Sequence, residues 1–514
     1  MTNGQNDPLF ILVKSLSKSE KRQFKLYVGR LGGNTDAKFL SLFNLFDKMT
    51  EYDEEVILKS GIVKKQQLSN LKAHLYKQLL VSLRLNPTHH NIRFQIREQL
   101  DFATILYHKG LYKQSLKLLD KAKNMAIENQ EKNMAYEIVE LEKIIETQYI
   151  TRSISTRAEE LSTQAKELSR QNVLASKLSN LSLQLYGIML KSGYVKDDEE
   201  YRRITQYFYA GLPEYNYEEL NFREKLWSNK AHLWYSFLVH DFLSCFKYAS
   251  RWVQLFHENE AMIALNPVFY LKGNHYLLES LYFLKHRTKF KETLEQLDEI
   301  LHWGKFPKND NVVSLAFLYL YNNRLNLHFL EGSFQEGEYL IEEINKGLKE
   351  HKNRIDAHHF MVFYYKIACL YFGMGDNRKC IEYLTKIIDN KSLKMREDLM
   401  CFARVLSLVA HYEAGMDYHL DVQLKSTYKF LIKMNDLHEV QKEMIKFLRR
   451  LGDIYPHELK KEFKKLLKVL KRFEDDPYEK RAFLYLDIIS WLESKVENRP
   501  VGDIIREKAK QLMR

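Results

Sequence analysis

Two pairs of adjacent histidines are the residues of this chain best suited to metal chemistry. They are His89-His90 and His358-His359. Neighbouring residues of a helix point about 100° apart, so each pair offers only one ligand to a metal site, and neither has a cysteine or glutamate beside it. We therefore favour histidines that are solvated or packed against other side chains, and we predict no metal.

The cysteines and the known catalytic motifs also argue against an enzyme. Each of the four cysteines stands among apolar neighbours in a predicted helix, and none forms a C-x-x-C pair: Cys245, Cys369, Cys380 and Cys401. This pattern is typical of small buried thiols in a reducing compartment. The sequence contains no G-x-x-x-x-G-K-[ST] phosphate loop, no G-x-S-x-G nucleophile elbow and no H-E-x-x-H zinc motif. We predict a protein without enzymatic activity or cofactor.

A basic N-terminal module, residues 1–90, is one candidate binding surface. Residues 1–97 contain 16 Lys or Arg against 8 Asp or Glu, and Gly61 separates two of the predicted helices. This arrangement loosely resembles a helix-turn-helix, whose recognition helix needs long polar side chains and phosphate-binding charges. Solvated lysines explain the pattern more simply, so nucleic-acid binding is our second hypothesis. Its candidate residues are Lys64, Lys65, Gln67, Lys72 and Lys77.

The elements that would position these residues are predicted to be almost all helical. Glycine (19) and proline (8) are scarce among 514 residues, and no linker or low-complexity tract divides the chain. Ser17 and Glu20 have the spacing of a capping box, and the N-terminal module is predicted to hold four helices, near 20–31, 37–49, 53–59 and 66–85. The apolar run 9–13 is too short for a signal peptide, and no segment is long enough to span a membrane. We predict a cytoplasmic protein.

The segment Met361–Asn390 shows the repeating pattern most clearly. Tyr364, Ala368 and Tyr371 share one helical face, Gly375 breaks the helix, and a second apolar face follows around Leu384. The order of aromatic, aliphatic and small residues resembles a tetratricopeptide (TPR) unit, with Cys380 in place of the usual alanine. The resemblance implies a helical hairpin that buries its apolar face only by stacking on neighbouring hairpins.

Similar breaks recur about every 38 to 48 residues, which implies helices of about 18 to 20 residues. They fall near Gly110, Ser153, Gly193, Asp241, Thr288, Gly332, Gly375, Gly415 and Asp453. The predicted fold is an all-α solenoid of about nine to ten antiparallel hairpins. Its predicted segments are the N-terminal module 1–90, the TPR-like superhelix 91–475 and a capping hairpin 476–514. The opening stretch from Leu16 to Phe24, L-S-x-x-E-K-R-x-F, is also similar to TPR-like proteins of Bacteroidetes-type bacteria, a resemblance that implies no particular activity.

The TPR resemblance implies a concave groove lined by the first helix of each hairpin. Carried onto this sequence, the lining residues include Tyr319, Asn322, Asn326, Tyr365 and Lys366, with His275 and Tyr282 from the preceding hairpin. In the carboxylate clamp of the TPR family, lysines occupy the positions that Asn322 and Val362 hold here.

The two asparagines lie four residues apart on one helical face, where they could bond the backbone of an extended peptide, and Lys366 could meet a carboxylate. The simpler interpretation of both asparagines is that they satisfy polar groups between helices. For an open groove we expect Asn322, Asn326 and Tyr365 to be exposed, and full burial of both Asn322 and Asn326 against other helices would exclude it.

Our first hypothesis is therefore a non-catalytic scaffold that holds a protein or peptide in this groove. The chain carries a net charge of +12, and residues 425–473 contain a further excess of 14 Lys or Arg over 6 Asp or Glu. Basic ends favour an acidic partner. The sequence leaves the oligomeric state open.

Overall fold

The computed structural model describes residues 7–30, 34–86, 91–148, 156–304, 306–390, 397–433, 439–450, 454–455, 457–474, 476, 478–479 and 487–511. Within these ranges every regular element is a helix, which confirms the all-α class. The α-helices are α1 Pro8–Ser15, α2 Lys18–Gly29, α3 Asn34–Lys48, α4 Glu54–Lys59, α5 Lys65–Arg84, α6 Ile92–His108, α7 Tyr112–Glu128, α8 Lys132–Gln148, α9 Arg157–Ser192, α10 Asp198–Gly211, α11 Phe222–Leu238, α12 Phe242–His257, α13 Ala261–Leu265, α14 Pro267–Phe283, α15 Arg287–His302, α16 Asp310–Glu331, α17 Tyr339–Glu350, α18 Ala357–Met374, α19 Asn377–Ile388, α20 Glu397–Glu413, α21 Asp417–Lys433, α22 Glu439–Arg450, α23 Leu459–Leu470, α24 Ile488–Glu497 and α25 Val501–Gln511.

The chain divides into two compact units between Ala165 and Lys166, within the long helix α9. The first unit holds α1 to α8, and the second holds α10 to α25. The predicted segments instead divided the chain at residues 90 and 475. None of the described helices has the length and apolarity needed to cross a bilayer.

The N-terminal helices begin where their caps predict. The Ser17 hydroxyl accepts a hydrogen bond from the Glu20 backbone N–H at 3.2 Å, and the Glu20 carboxylate accepts one from the Ser17 N–H at 2.6 Å. This confirms the predicted capping box. The four predicted helices are α2 to α5, and the apolar face of α3 is fully buried through Phe39, Phe43 and Phe46.

One further helix, α1, precedes the four that the sequence predicts, so the N-terminal module holds five. Asp7 caps it by accepting a hydrogen bond from the Phe10 N–H at 2.9 Å, and Pro8 fits the first turn, which needs no backbone donor. Leu9 and Val13 are buried against the same core as α3. A helix of eight residues is too short to show periodicity, which explains why the pattern did not reveal it.

In the second unit most helices pack on the next one along the chain. The two helices of each pair α11–α12, α14–α15, α16–α17, α18–α19 and α20–α21 contact each other and meet near a predicted break, and the first helices α14, α16, α18 and α20 also contact one another in sequence. Gly375 lies between α18 and α19 with φ +85°, a left-handed conformation that favours glycine. Ala368 and Cys380 are fully buried, as their small size predicts.

The helix α9 differs from the predicted pattern. It runs for 36 residues without a break, where the recurring spacing predicts two shorter helices. No proline or turn sequence interrupts this stretch, so nothing in its local chemistry ends the helix. The predicted breaks at Ser153 and Asp453, like the His89-His90 pair, lie outside the described residues.

The C-terminal helix α25 returns to the middle of the second unit and packs against α16 and α18. Two glycines allow this close approach: a Cβ atom on Gly332 would lie 2.5 Å from the Gly502 carbonyl oxygen, and Gly332 itself has φ +64°. Gly332 and Gly502 are 170 residues apart in the sequence, so local periodicity does not predict that their helices meet. The contact matters here because α25 closes one side of the pocket described below.

Candidate functional site

The predicted groove residues of the second unit lie on the first helices of three consecutive hairpins. Asn309 caps α16 by accepting from the Val312 N–H at 3.1 Å, and Asp356 caps α18 by accepting from the His359 N–H at 3.0 Å. These caps fix where each helix starts, and therefore which residues face α14. Polar side chains from all three helices, with the backbone carbonyl of Asn322, meet in one network, which we call the polar face: His275, Glu279, Asn322, Asn323, Asn326 and Lys366.

A continuous chain of contacts crosses the polar face from α18 to α14. The Lys366 ammonium donates to Asn326 Oδ1 at 2.5 Å, and Asn326 Nδ2 donates to Asn323 Oδ1 at 3.4 Å. Asn323 Nδ2 then donates to His275 Nδ1 at 3.2 Å and to the Tyr319 carbonyl oxygen at 2.8 Å. Asn326 thus links α16 to α18, and Asn323 links α16 to α14. For Asn326 this agrees with the simpler interpretation, whereas Asn323 takes the place that the interpretation gave to Asn322. The network holds Lys366 in a fixed position.

His275 takes part in this network as a neutral side chain. Its ring stacks on Tyr319 with centroids 4.5 Å apart and planes 15° apart. Burial, together with the nearby charges of Lys366 and Lys272, lowers the pKa of His275 to about 3. Because Nδ1 accepts from Asn323, the proton lies on Nε2, 3.8 Å from Glu279 Oε2.

Lys366 is a half-buried cation that lacks a carboxylate partner. Its ammonium contacts Asn326 Oδ1 and, at 3.5 Å, the Asn322 carbonyl oxygen, and no carboxylate of the described residues lies within ion-pair distance. Burial lowers the pKa of Lys366 to about 8, although the nearby carboxylate of Glu279 opposes this shift. An ammonium has three donors, so it retains capacity for a further acceptor. Beside it, Asn322 Oδ1 is buried and receives no hydrogen bond from any described residue.

Two further lysines extend the positive charge towards α11. Lys272 on α14 is close enough to lower the pKa of both His275 and Lys230. Lys230 on α11 is enclosed by aromatic rings, with its ammonium 3.9 Å from the centroid of Trp227 and 4.9 Å from that of Phe269. Burial and Lys272 lower the pKa of Lys230 to about 7, whereas cation–π attraction favours the charged form.

An apolar pocket of about 870 Å³ adjoins the polar face. It is formed by the C-terminal turns of α14, α16 and α18, and α25 closes it. Its walls carry Tyr282, Phe283, Phe329, Leu330, Phe334, Cys369, Phe372, Ile489, Val501 and Ile505, and Lys285, Arg287, Lys508, Glu474 and Asp487 line it at polar positions. Arg287 pairs with Glu331 at 2.7 Å, and Lys508 pairs with Glu493 at 2.6 Å, so these two cations already have carboxylate partners.

The predicted groove residues therefore divide into a partly exposed and a buried set. Asn322, Lys366, His275 and Tyr282 keep accessible surface, and Tyr282 lines the apolar pocket. Tyr319, Asn326 and Tyr365 are buried, contrary to the exposure that we expected of Asn326 and Tyr365. Asn326 is buried because it bonds Lys366 and Asn323, so it positions the cation and has no free surface for a peptide.

The sequence analysis did not identify Asn323 and Glu279 as members of the site. Asn323 follows Asn322 directly, but its side chain points towards α14, about 100° around the helix. Glu279 stands four residues after His275, a spacing that places both on one helical face. The spacing of four residues from His275 was therefore the feature of the sequence that could have identified Glu279. No local signal distinguishes which of two adjacent asparagines joins the network.

The candidate nucleic-acid residues on α5 do not form one face. Lys64, Lys65, Gln67 and Lys77 are exposed, but Gln67 points about 160° away from Lys65 around the helix. Lys72 is held by an ion pair with Asp7, and its ammonium also donates to the Tyr52 hydroxyl at 2.9 Å. These contacts raise the pKa of Lys72 against the effect of its burial. Lys72 thus ties α5 to the start of α1.

Within the described ranges, no group of three or more His, Cys, Asp or Glu side chains is placed to hold a metal ion. None of the four cysteines, all of them buried, forms a disulfide. Burial raises the pKa of the Cys369 thiol, which lines the apolar pocket, to about 12. Comparison with protein-family models, curated proteins and solved structures found no match to this chain. The candidate function therefore has to be argued from the polar face and the pocket alone.

Proposed function

We propose that this protein is a non-catalytic scaffold that binds an acidic segment of a protein partner at the polar face. In this proposal the hairpins of the second unit are consecutive units of a TPR-like solenoid, and the polar face lies in its concave groove. The observation that carries the proposal is Lys366, a half-buried cation with no carboxylate partner among the described residues.

The physical argument concerns the cost of burying Lys366. A buried charge is costly unless it is paired. The ammonium of Lys366 contacts only the neutral acceptors Asn326 Oδ1 and the Asn322 carbonyl oxygen, and the carboxylate of Glu279 acts on it from beyond ion-pair distance. A carboxylate from a partner would supply the missing counter-charge, and the third donor of the ammonium is available for it.

Nucleic-acid binding through α5 has weaker support. Lys72 already has a carboxylate partner, and the remaining candidates point in different directions around the helix. A phosphate backbone requires several cations along one surface. The four cysteines are buried and form no disulfide, which suits a reducing compartment and supports a cytoplasmic location for the proposed scaffold.

The proposal is tested by affinity capture from the host lysate with three forms of the protein: wild type, Lys366→Met and Lys346→Met. Lys346 is exposed on α17 and serves as the matched control. We expect a discrete acidic protein that survives nuclease treatment, binds the wild type and the control, and is lost with Lys366→Met. A partner set that disappears on nuclease treatment, or that Lys366→Met leaves unchanged, would contradict the proposal.

A further inference from the structure

We propose that the apolar pocket binds a bulky apolar side chain of the same acidic segment, about three residues from the carboxylate that meets Lys366. This inference rests on the proposed function and adds a second determinant to it. The partner's motif would then contain two determinants at a fixed spacing: one acidic residue, and one aromatic or large aliphatic residue.

The polar face and the pocket are adjacent on all three helices. On α18, Lys366 belongs to the polar face, and Cys369, one turn later, already lines the pocket. On α16 the same step leads from Asn326 to Phe329. On α14 it leads from Glu279 to Tyr282. One continuous surface therefore changes from polar to apolar over a single helical turn.

The geometry sets the spacing within the partner. Lys366 and Phe372 are six residues apart, which corresponds to about 9 Å along a helix that rises about 1.5 Å per residue. An extended peptide advances about 3.3 Å per residue. A peptide that runs along α18 would thus place an apolar side chain in the pocket about three residues from its carboxylate.

The chemistry of the walls favours an apolar occupant. Five aromatic rings line the pocket, and two of its three cations, Arg287 and Lys508, have carboxylate partners of their own. The volume of about 870 Å³ lies within the range of about 300–1,000 Å³ that is typical of ligand pockets. A large aromatic side chain would gain most from this site because it buries the most apolar area.

The test uses four short extended peptides of otherwise identical Ala, Ser and Gly sequence. They carry Glu or Gln at one position, and Phe or Ala about three positions away. Binding to the full-length protein is measured by fluorescence anisotropy. We expect the Glu/Phe peptide to bind about tenfold to a hundredfold more tightly than the Glu/Ala peptide, which is the effect of burying one large apolar side chain.

Two protein variants separate the pocket from the polar face. Ala509 lines the pocket from α25 and is partly exposed, so Ala509→Trp should place an indole ring inside the pocket with little disturbance of the core. Ala73→Trp, at an exposed position of α5 that does not line the pocket, is the matched control. We expect Ala509→Trp to abolish the preference for Phe over Ala while leaving the preference for Glu over Gln, and the control to change neither.

The outcomes distinguish failure of this inference from failure of the proposed function. A preference for Glu over Gln without any preference for Phe over Ala would overturn the pocket assignment alone. A preference for Phe that Ala509→Trp leaves intact would also overturn it. The absence of any preference for Glu over Gln would overturn the proposed function, and with it the inference.

Discussion

Replacing Lys366 by methionine should stabilise the protein although it removes the proposed binding group. Burial lowers the pKa of Lys366 from its ordinary 10.5 to about 8. This shift corresponds to about 3 kcal/mol against the charged lysine in the folded state. Methionine keeps the apolar stem but leaves Asn326 Oδ1 without its donor, which costs about 1–3 kcal/mol. We expect a net increase in the free energy of unfolding of about 1 kcal/mol at pH 7.

The pH dependence supplies a sharper form of the same prediction. Below pH 8 the lysine is charged in both states, so the folded wild type carries the whole cost of the buried charge. As the pH rises from about 8 to 10.5, the folded state loses its proton while the unfolded state keeps it, so the wild type gains stability. The advantage of Lys366→Met should therefore shrink over this interval.

Urea denaturation followed by tryptophan fluorescence measures this effect selectively. All five tryptophans lie beyond residue 165, so the signal reports the second unit. Lys346→Met, at an exposed position, should change the free energy of unfolding by no more than about 0.5 kcal/mol. If Lys366→Met destabilises the second unit at pH 7, or if its effect does not vary between pH 7 and pH 10, Lys366 is not an uncompensated buried cation.

Three further predictions concern binding and the fold. The affinity for an acidic peptide should fall as the pH rises above about 8, because the free protein then loses the Lys366 proton, and anisotropy titrations from pH 7 to pH 10 would show it. Gly332→Ala should destabilise the second unit by at least about 1 kcal/mol and loosen α25, because the new Cβ would lie 2.5 Å from the Gly502 carbonyl oxygen; hydrogen exchange of α25 amides would report this loosening. Ser17→Ala should cost about 1 kcal/mol in the stability of the first unit by removing the capping bond to the Glu20 N–H, and unchanged thermal unfolding would contradict it.

Much of the local structure could be predicted from the sequence because its causes are local. The Ser17 capping box, the turn at Gly375 and the burial of Ala368 and Cys380 depend on residues within a few positions of one another. Helix periodicity likewise identified α2 to α5 and most of the paired helices of the second unit.

The parts of the fold and of the site that the sequence did not predict depend on contacts between residues that are distant in the sequence. The return of α25 to α16 closes the apolar pocket, and nothing in the residues around Gly502 indicates which helix they meet. The burial of Asn326 and Tyr365 results from the packing of α16, α14 and α18, whereas their helical positions alone suggested exposure. Asn323 is the member of the hydrogen-bond network that the sequence analysis did not identify. It differs from Asn322 only in the direction in which its side chain leaves the helix.

The central claim is that Lys366 meets a carboxylate of the partner, and a double-mutant cycle tests it most directly. The affinities of the Glu/Phe and Gln/Phe peptides are measured for the wild type and for Lys366→Met. We predict that the wild type prefers the Glu peptide by about tenfold or more, as expected for a close charge pair, and that Lys366→Met shows no preference. An equal preference for the Glu peptide in both proteins would show that the carboxylate binds elsewhere.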